Sequence, residues 1–534
     1  MRTSLHNDLW KSKNAKNVSK FSRFILLVLT LTGILLMINL GEWWFTEFHV
    51  AYTFLFVILS TFFWYEMIRI ILIWINYLRI NKPVIVPEPK EGLSVAVFTT
   101  SAPGEPISMF ENTFKALQNL EYPHTTYLLD STQDENFKIL AEKYKIVFMD
   151  LSNIPGAKAG KVNEALIRTH EEFILILDPD HIVFSNFLNQ TLGFFEDDNV
   201  GFVQVSQGYY NQYRSFVAKG AAEQTYTFYG PTQMGFFGYG GAVAIGANCT
   251  FRRKALESIG GHAQGLAEDL QTSLRIHAQG WKSVYNPVIV SRGLVPEDFG
   301  SFCKQQLKWA RGVFEVLFED LPQVAGKFTF WQRVSYFSIG TYYFCGLTTF
   351  FFILVPLLYF FAYIIPANMV FSEFLVKFIP ILAIAIIIYA FAQKYLCDPV
   401  TERGFHWRGM ILKYACWPVF TYAFLLALLN KKIPYIPTAK TAQNQFFTPF
   451  VKPLFLYCIF FILGVTLIYI GRRYYLPESE LYLTIQETWG MVAFSFIAFL
   501  QSILGIMAAL EAIFLKEDNP WEKINITNNK IEII

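Results

Sequence analysis

Two carboxylates one residue apart, Asp178-Pro179-Asp180, follow directly on the apolar run Phe173-Ile-Leu-Ile-Leu177. Five consecutive apolar residues predict a strand buried on both faces, and the acids fall where that strand ends. Ligands of open α/β sheets collect in the crevice outside the carboxyl ends of the strands, so acids placed there face a cleft and not a core. A carboxylate pair is a site for a hard cation. Mg²⁺ and Mn²⁺ take few protein carboxylates and complete their shell with water and substrate phosphate, so Asp178 and Asp180 suit a metal-diphosphate chelate. Asp-Pro-Asp is also a good turn, and its neighbours along the chain have to carry the chemical reading.

Four further stretches do so. Tyr127-Leu-Leu-Asp130 is a strand ending in an acid that could accept hydrogen bonds from a base or ribose. Gly156-Ala-Lys158-Ala-Gly160-Lys161 is a glycine-punctuated turn with two lysines at a helix start, which suits a diphosphate. Glu268-Asp269 stands ahead of an amphipathic helix, and Gln305-Gln-Leu-Lys308-Trp309-Ala-Arg311 pairs cations with an indole on another. Taken singly, each has a plainer reading: an Asx turn for Asp130, a solvated face for the lysines, an N-terminal helix charge for Glu268-Asp269, an interfacial anchor for Trp309.

The elements that position these residues belong to two textures. Of 534 residues, 53% are hydrophobic, 18% aromatic and only 16% charged, which is a membrane protein's composition with a soluble part. A net charge of +2, with dispersed lysines and arginines, indicates no nucleic-acid partner. Six scattered cysteines without a C-x-x-C pair give neither a zinc site nor a disulfide framework. From 83 to 325 short apolar runs alternate with polar helical segments, an α/β signature. Strands are expected at 93–100, 126–129, 146–151, 173–177 and 200–205, and helices at 107–120, 134–144 and 161–169. Neither G-x-G-x-x-G nor G-x-x-x-x-G-K-[ST] is placed to cradle phosphate, so a diphosphate would be held through a metal.

The runs 24–40 and 51–78 predict a transmembrane hairpin within a segment 1–82, read as a retained anchor and not as a cleaved signal. Lys and Arg on its outer flanks, against acids and tryptophans in the link Gly41-Glu-Trp-Trp-Phe-Thr-Glu47, put the N-terminus and the 83–325 domain in the cytosol. From 326 to 534 apolar runs recur at 335–365, 371–392, 407–429, 451–470 and 489–515. Six crossings are expected, with 407–429, interrupted by Lys413 and Pro418, lying in the interface. Arg472 and Arg473 then fall outside.

In order, Asp130, Lys158-Ala-Gly160, Asp178-Pro-Asp180, Ala267-Glu-Asp269 and Gln305-x-x-Lys308-Trp309 resemble the motifs of the processive family 2 glycosyltransferases, the cellulose synthase-like and hyaluronan- or chitin-synthase-like enzymes. Val203-Gln204, Tyr209-Tyr-Asn211, the run from Gly246 to Arg253 and Pro296-Glu-Asp-Phe299 are similar to the bacterial cellulose synthase pattern, and Tyr435-Ile-Pro-Thr438-Ala-Lys440 to that family's gating loop. The resemblance implies a cytosolic GT-A (Rossmann-like) α/β domain inserted between transmembrane helices of a multi-pass plasma (inner) membrane protein, with a gating-like loop at about 435–445. It implies inverting transfer from a nucleotide sugar, UDP-linked by expectation, to a growing β-linked polysaccharide, with Mg²⁺ or Mn²⁺ on Asp178 and Asp180. Asp269 would be the base. Asp130, Lys158, Asp178, Gln305, Lys308 and Arg311 would bind the donor, Gly246, Glu268 and Trp309 the acceptor, and Thr438 and Lys440 would act from the gating loop. The bilayer and accessory export subunits are the other implied partners.

Three departures are visible. Ala267 stands for the family's Thr, Lys308 for an Arg that would offer a bidentate fork, and Ala244-Ile245-Gly246 for an aromatic-cysteine-glycine turn near the acceptor. No cytosolic domain, hence no cyclic-dinucleotide module, is expected after the last crossing. The rival readings are a non-processive transferase with a lipid acceptor and a transporter with a nucleotide-binding domain. The latter is weakened by few intramembrane charges, chiefly Glu66 and Arg69, and by the missing P-loop.

Overall fold

The run that ends in Asp178 is a strand, β5 (Phe173–Leu177), and all five of its residues are buried. The computed structural model describes residues 10–434, 438–441, 449–475, 481–515, 519–527 and 530–533. β5 lies between β2 (Val95–Ser101), its parallel neighbour, and β8 (Cys249–Arg252), which runs antiparallel to it. β3 (Thr125–Asp130) and β4 (Val147–Asp150) continue the parallel side, whereas β7 (Val200–Tyr209) and β9 (Lys282–Gly293), parallel to each other, continue the other. Short β1 (Lys13–Asn14) and β6 (Ile182–Val183) pair with β9, giving the order β1-β9-β7-β8-β5-β2-β3-β4. This is the mixed α/β sheet of a GT-A-like fold.

The five strands expected from the sequence all form, with starts within two residues and β7 extended to Tyr209. β8 and β9 were not expected; β9 contains Pro287 and its ladder with β7 shifts register three times, features that obscure a strand in sequence. Ser101 and Asp130 end β2 and β3, and Asp178 directly follows β5, at one edge, because these strands are parallel.

Among the described residues six helices are long and apolar enough to cross a membrane: Lys20–Trp44, Thr53–Tyr77, Phe330–Ala362, Phe371–Tyr395, Val451–Ile470 and Thr488–Phe514. The 407–429 run is two helices, Trp407–Ala415 and Trp417–Leu428, bent by 48°. The first packs on the sheet domain's Phe216–Thr227 helix and the second on its Phe299–Glu315 helix. One hydrophobic core accordingly runs from Val217, Phe302 and Phe314 through Phe420 to Val451 and Ile506, without a polar layer between the domain and the membrane helices.

After the last long helix the chain returns to the sheet domain. Both carboxylate oxygens of Glu511 accept from the Phe216 N–H at 2.9 Å, at the start of the Phe216–Thr227 helix where backbone donors lack partners. Trp521, 1% exposed, donates its indole N–H to Ser108 Oγ at 2.9 Å, while Asn112 donates to Trp521 O at 2.7 Å. A hairpin of β10 (Ile524–Thr527) and β11 (Lys530–Ile533) follows, with Ile524 and Ile526 in the core on one sheet face. Trp521→Ala removes a fully buried indole, worth about 3–5 kcal/mol in other cores. It should lower the melting temperature of the purified protein and expose the tail to protease; an unchanged melting curve would show that the tail is not docked.

Candidate active site

Five acids and three lysines gather around the sheet edge where β5 ends. Asp178 Oδ1 accepts from Lys158 Nζ at 2.5 Å, and the same ammonium donates to Gly246 O at 2.7 Å. Lys158 is the first residue of the Lys158–Arg168 helix, which begins three residues earlier than expected. A cation in a first turn opposes the helix dipole, and the Asp178 carboxylate compensates it here. Asp180 is held from two sides: Leu294 N–H donates to Oδ2 at 2.8 Å and Lys440 Nζ to Oδ1 at 2.7 Å. Burial raises both Asp carboxyls; Lys158 at Asp178 and Lys440 at Asp180, helped by His181, outweigh it and leave both below the usual carboxylate range.

The donor set fits a divalent cation. Ligand atoms of Asp178, Asp180 and His181 lie within 4.8 Å of one another. His181 is 1% exposed and neither ring nitrogen has a hydrogen-bond partner, although buried polar groups are nearly always paired. Two carboxylates suit Mg²⁺ or Mn²⁺, with the His181 imidazole as a third candidate donor. Sequence reasoning gave His181 no role, although a histidine directly after Asp-x-Asp at a strand end was the available signal. Glu105, after β2, was also missed. Ala102 N–H donates to its Oε2 at 2.9 Å, and burial pushes its carboxyl up to about 7, with Lys440 opposing and Asp180 and Asp178 adding to the rise.

Glu268 and Asp269 open the Glu268–Ala278 helix on the other wall. Leu270 N–H donates to Asp269 Oδ1 at 2.8 Å, leaving Oδ2 beside Gly246, whose added β-carbon would stand 3.5 Å from it. Burial, then the Asp269 charge, pushes Glu268 up to about 7. Burial likewise raises Asp269, opposed by the Leu270 N–H and Lys158, which makes it more basic than an ordinary carboxylate. The Phe299–Glu315 helix presses on this turn at Gly312, where a β-carbon would meet Ala267 N at 2.6 Å. Gln305, Lys308 and Trp309 share a face of that helix, with Trp309 36% exposed. Burial lowers Lys308, and the charges of Glu268 and Asp178 draw it back.

Three expectations need correction. Arg311, 1% exposed, donates from Nε to Lys431 O at 3.0 Å and from Nη1 to Glu315 at 2.9 Å; it ties the helix to the segment after the bent pair and does not face a diphosphate. Lys161 donates to Ile154 O, so only one of the two lysines of the glycine turn reaches the cleft. Asp130, 1% exposed, spends both oxygens on Ser101 Oγ at 2.5 Å, Thr132 Oγ1 at 2.8 Å, and the N–H groups of Thr132 and Gln133. That is the Asx-turn role, and it shapes the edge of the cleft. Of the gating-like loop, Thr438 and Lys440 are described and Lys440 reaches Asp180, whereas 435–437 and 442–448 lie outside the described residues.

Residues 173–394 match the model of the glycosyl transferase family group 2. The cellulose synthase 1 catalytic subunit (UDP-forming) of Komagataeibacter xylinus is 27% identical over 311 residues, 55% of this chain and 42% of that protein. The cellulose synthase catalytic subunit (UDP-forming) of Pseudomonas fluorescens is 27% identical over 281 residues, 51% of this chain and 38% of that one. The matches thus span less than half of either relative. Among solved structures, a mannosyltransferase from Pyrobaculum calidifontis in complex with GDP-mannose and Mn²⁺ matches with a TM-score of 0.46 at 15% identity, covering 71% of this chain and 100% of that one. Motifs, sheet and the match over 173–394 agree on a family 2 glycosyltransferase domain, and the chain is similar to bacterial cellulose synthase catalytic subunits.

Proposed function

We propose that the protein takes a glycosyl group from a nucleotide sugar, UDP-linked as in its UDP-forming relatives, and transfers it with inversion to the end of a β-linked polysaccharide that passes outward between its membrane helices. One observation carries this reading. Asp178, Asp180 and the unpartnered His181 converge between Lys158 and Lys440, with Asp269 across the cleft beside Gly246.

Asp178, Asp180 and His181 would hold Mg²⁺ or Mn²⁺, which supplies positive charge to the departing nucleoside diphosphate. Lys158, Lys308 and Lys440 add charge of the same sign around that leaving group. Lys440 sits on Asp180 Oδ1 at 2.7 Å, so it has the reach to exchange a carboxylate for a phosphate oxygen. Asp269, raised by burial, accepts the proton of the attacking hydroxyl, a role that suits a carboxylate more basic than usual. The Trp309 indole, partly exposed beside Lys308, offers an apolar face on which the acceptor sugar stacks.

The tight packing of the bent pair against two sheet-domain helices favours placing Trp407–Ala415 and Trp417–Leu428 in the interface, on the cytosolic side with the catalytic domain. A thiol reagent confined to the outside should then label a cysteine replacing Glu47 and spare one replacing Asn430. External labelling at Asn430 would make the pair a seventh crossing and detach the Lys440 segment from the cleft.

Chemistry and acceptor binding separate in a second experiment. Asp269→Asn should cost about 10²–10⁴-fold in transfer with little change in donor affinity, since the base acts only as the acceptor attacks. Trp309→Ala should shorten or abolish the polymer while sparing slow hydrolysis of the donor by water, which needs no stacked sugar. Equal loss of hydrolysis and polymer in Trp309→Ala would remove the acceptor role; a singly glycosylated lipid as the only product of the unmutated protein would replace the polysaccharide reading with lipid glycosylation.

A further inference from the structure

Three consecutive residues at the end of β9 reach three parts of the protein. Leu294 N–H donates to Asp180 Oδ2 at 2.8 Å. Gly293 lies flat on the buried His181 ring, so close that a β-carbon there would stand 2.6 Å from Cε1. Arg292, 1% exposed at its side chain, places Nη2 3.2 Å from Oδ2 of Asp398, which is 0% exposed. Asp398 lies in the loop that follows the membrane helix Phe371–Tyr395. That loop is stiff. Val400 N–H donates to Asp398 Oδ1 at 3.1 Å, Asp398 N–H to Glu402 Oε2 at 3.0 Å, and Glu402 N–H to Asp398 O at 2.9 Å. Lys219, on the Phe216–Thr227 helix, donates to Thr401 O at 3.3 Å.

The sheet ladder alone defines the end of β9 poorly. Its pairing with β7 shifts register between Val205 and Ser206 and again between Ser206 and Gly208, immediately before the pairs that include Arg292 and Gly293. On its other side β6 contributes only two residues, Ile182 and Val183. A buried ion pair adds little net stability, because desolvation offsets the attraction, but it fixes a geometry. We propose that Arg292 and Asp398 are positioning residues for the metal site: their pair anchors the end of β9, and through the Leu294 N–H and the Gly293–His181 contact it holds Asp180 and His181 at the spacing a divalent cation requires. The proposal rests on the metal reading of Asp178, Asp180 and His181. It also means that the membrane helix Phe371–Tyr395 and the metal site share one rigid connection.

The test is binding without turnover: Mn²⁺ affinity of the purified full-length protein in the presence of UDP, read from the electron paramagnetic resonance of free Mn²⁺. Asp398→Asn breaks the pair. The double variant Arg292→Met with Asp398→Leu removes both charges, so no unpaired guanidinium is left to unfold the protein. Both should bind Mn²⁺ about tenfold more weakly, the lower end of what outer-shell partners of a metal site cost when lost. Lys282→Ala, which breaks the exposed pair with Asp197 (2.9 Å) at the far end of β9, should bind as the unmutated protein does. A double variant that keeps the normal melting temperature and the normal Mn²⁺ affinity overturns the positioning role alone. An unmutated protein that binds no Mn²⁺, or binds it no better than Asp180→Asn does, overturns the metal reading and the proposal with it.

Discussion

Carboxylates brought together away from water repel one another and lose hydration, so they stay ionised only where cations stand among them. Asp178 and Asp180 keep their charge because Lys158 and Lys440 each lie within 2.7 Å of one of them. Across the cleft Glu268 shifts toward the neutral form at about 7, and Asp269 moves in the same direction. The cleft is therefore split into a side with paired charges, suited to a metal and a diphosphate, and a side with basic carboxylates, suited to a proton. Each of the cations arrives from a different part of the chain: Lys158 from a helix after β4, Lys308 from the helix that presses on Ala267, Lys440 from the segment ahead of the Val451–Tyr475 helix.

The membrane helices are part of this arrangement and not merely its anchor. The sheet domain shares a hydrophobic core with the bent pair and with the last two long helices, Glu511 caps a sheet-domain helix, and Asp398 holds Arg292. Arg311 fixes the Phe299–Glu315 helix to Lys431, so the helix that carries Trp309 and the chain leading toward Lys440 are tied at one point.

Much of the site was legible in sequence because local pattern and chemistry coincide there. A five-residue apolar run closed by Asp-Pro-Asp reads as a buried strand with its acids at the edge, and a carboxylate pair at a helix start is visible without coordinates. What escaped depends on contacts between distant segments. Arg311 reads as a cleft cation until Lys431 O and Glu315 claim it, and Asp130 as a ligand until its own turn consumes both oxygens. His181 stood inside the motif, yet only its burial without a hydrogen-bond partner marks it as a candidate ligand. β1 is two residues long and β9 contains a proline, so neither carries a period a reader could detect.

The central claim is that this cleft uses a metal to release a nucleoside diphosphate from a sugar donor. Its most direct test is to supply the purified protein with a panel of UDP, GDP, ADP and CMP sugars and to measure free nucleotide with Mn²⁺, with Mg²⁺ and after chelation. The account predicts release from UDP sugars that stops when the metal is chelated and returns when Mn²⁺ or Mg²⁺ is restored. No release from any donor, or release that ignores chelation, would contradict it.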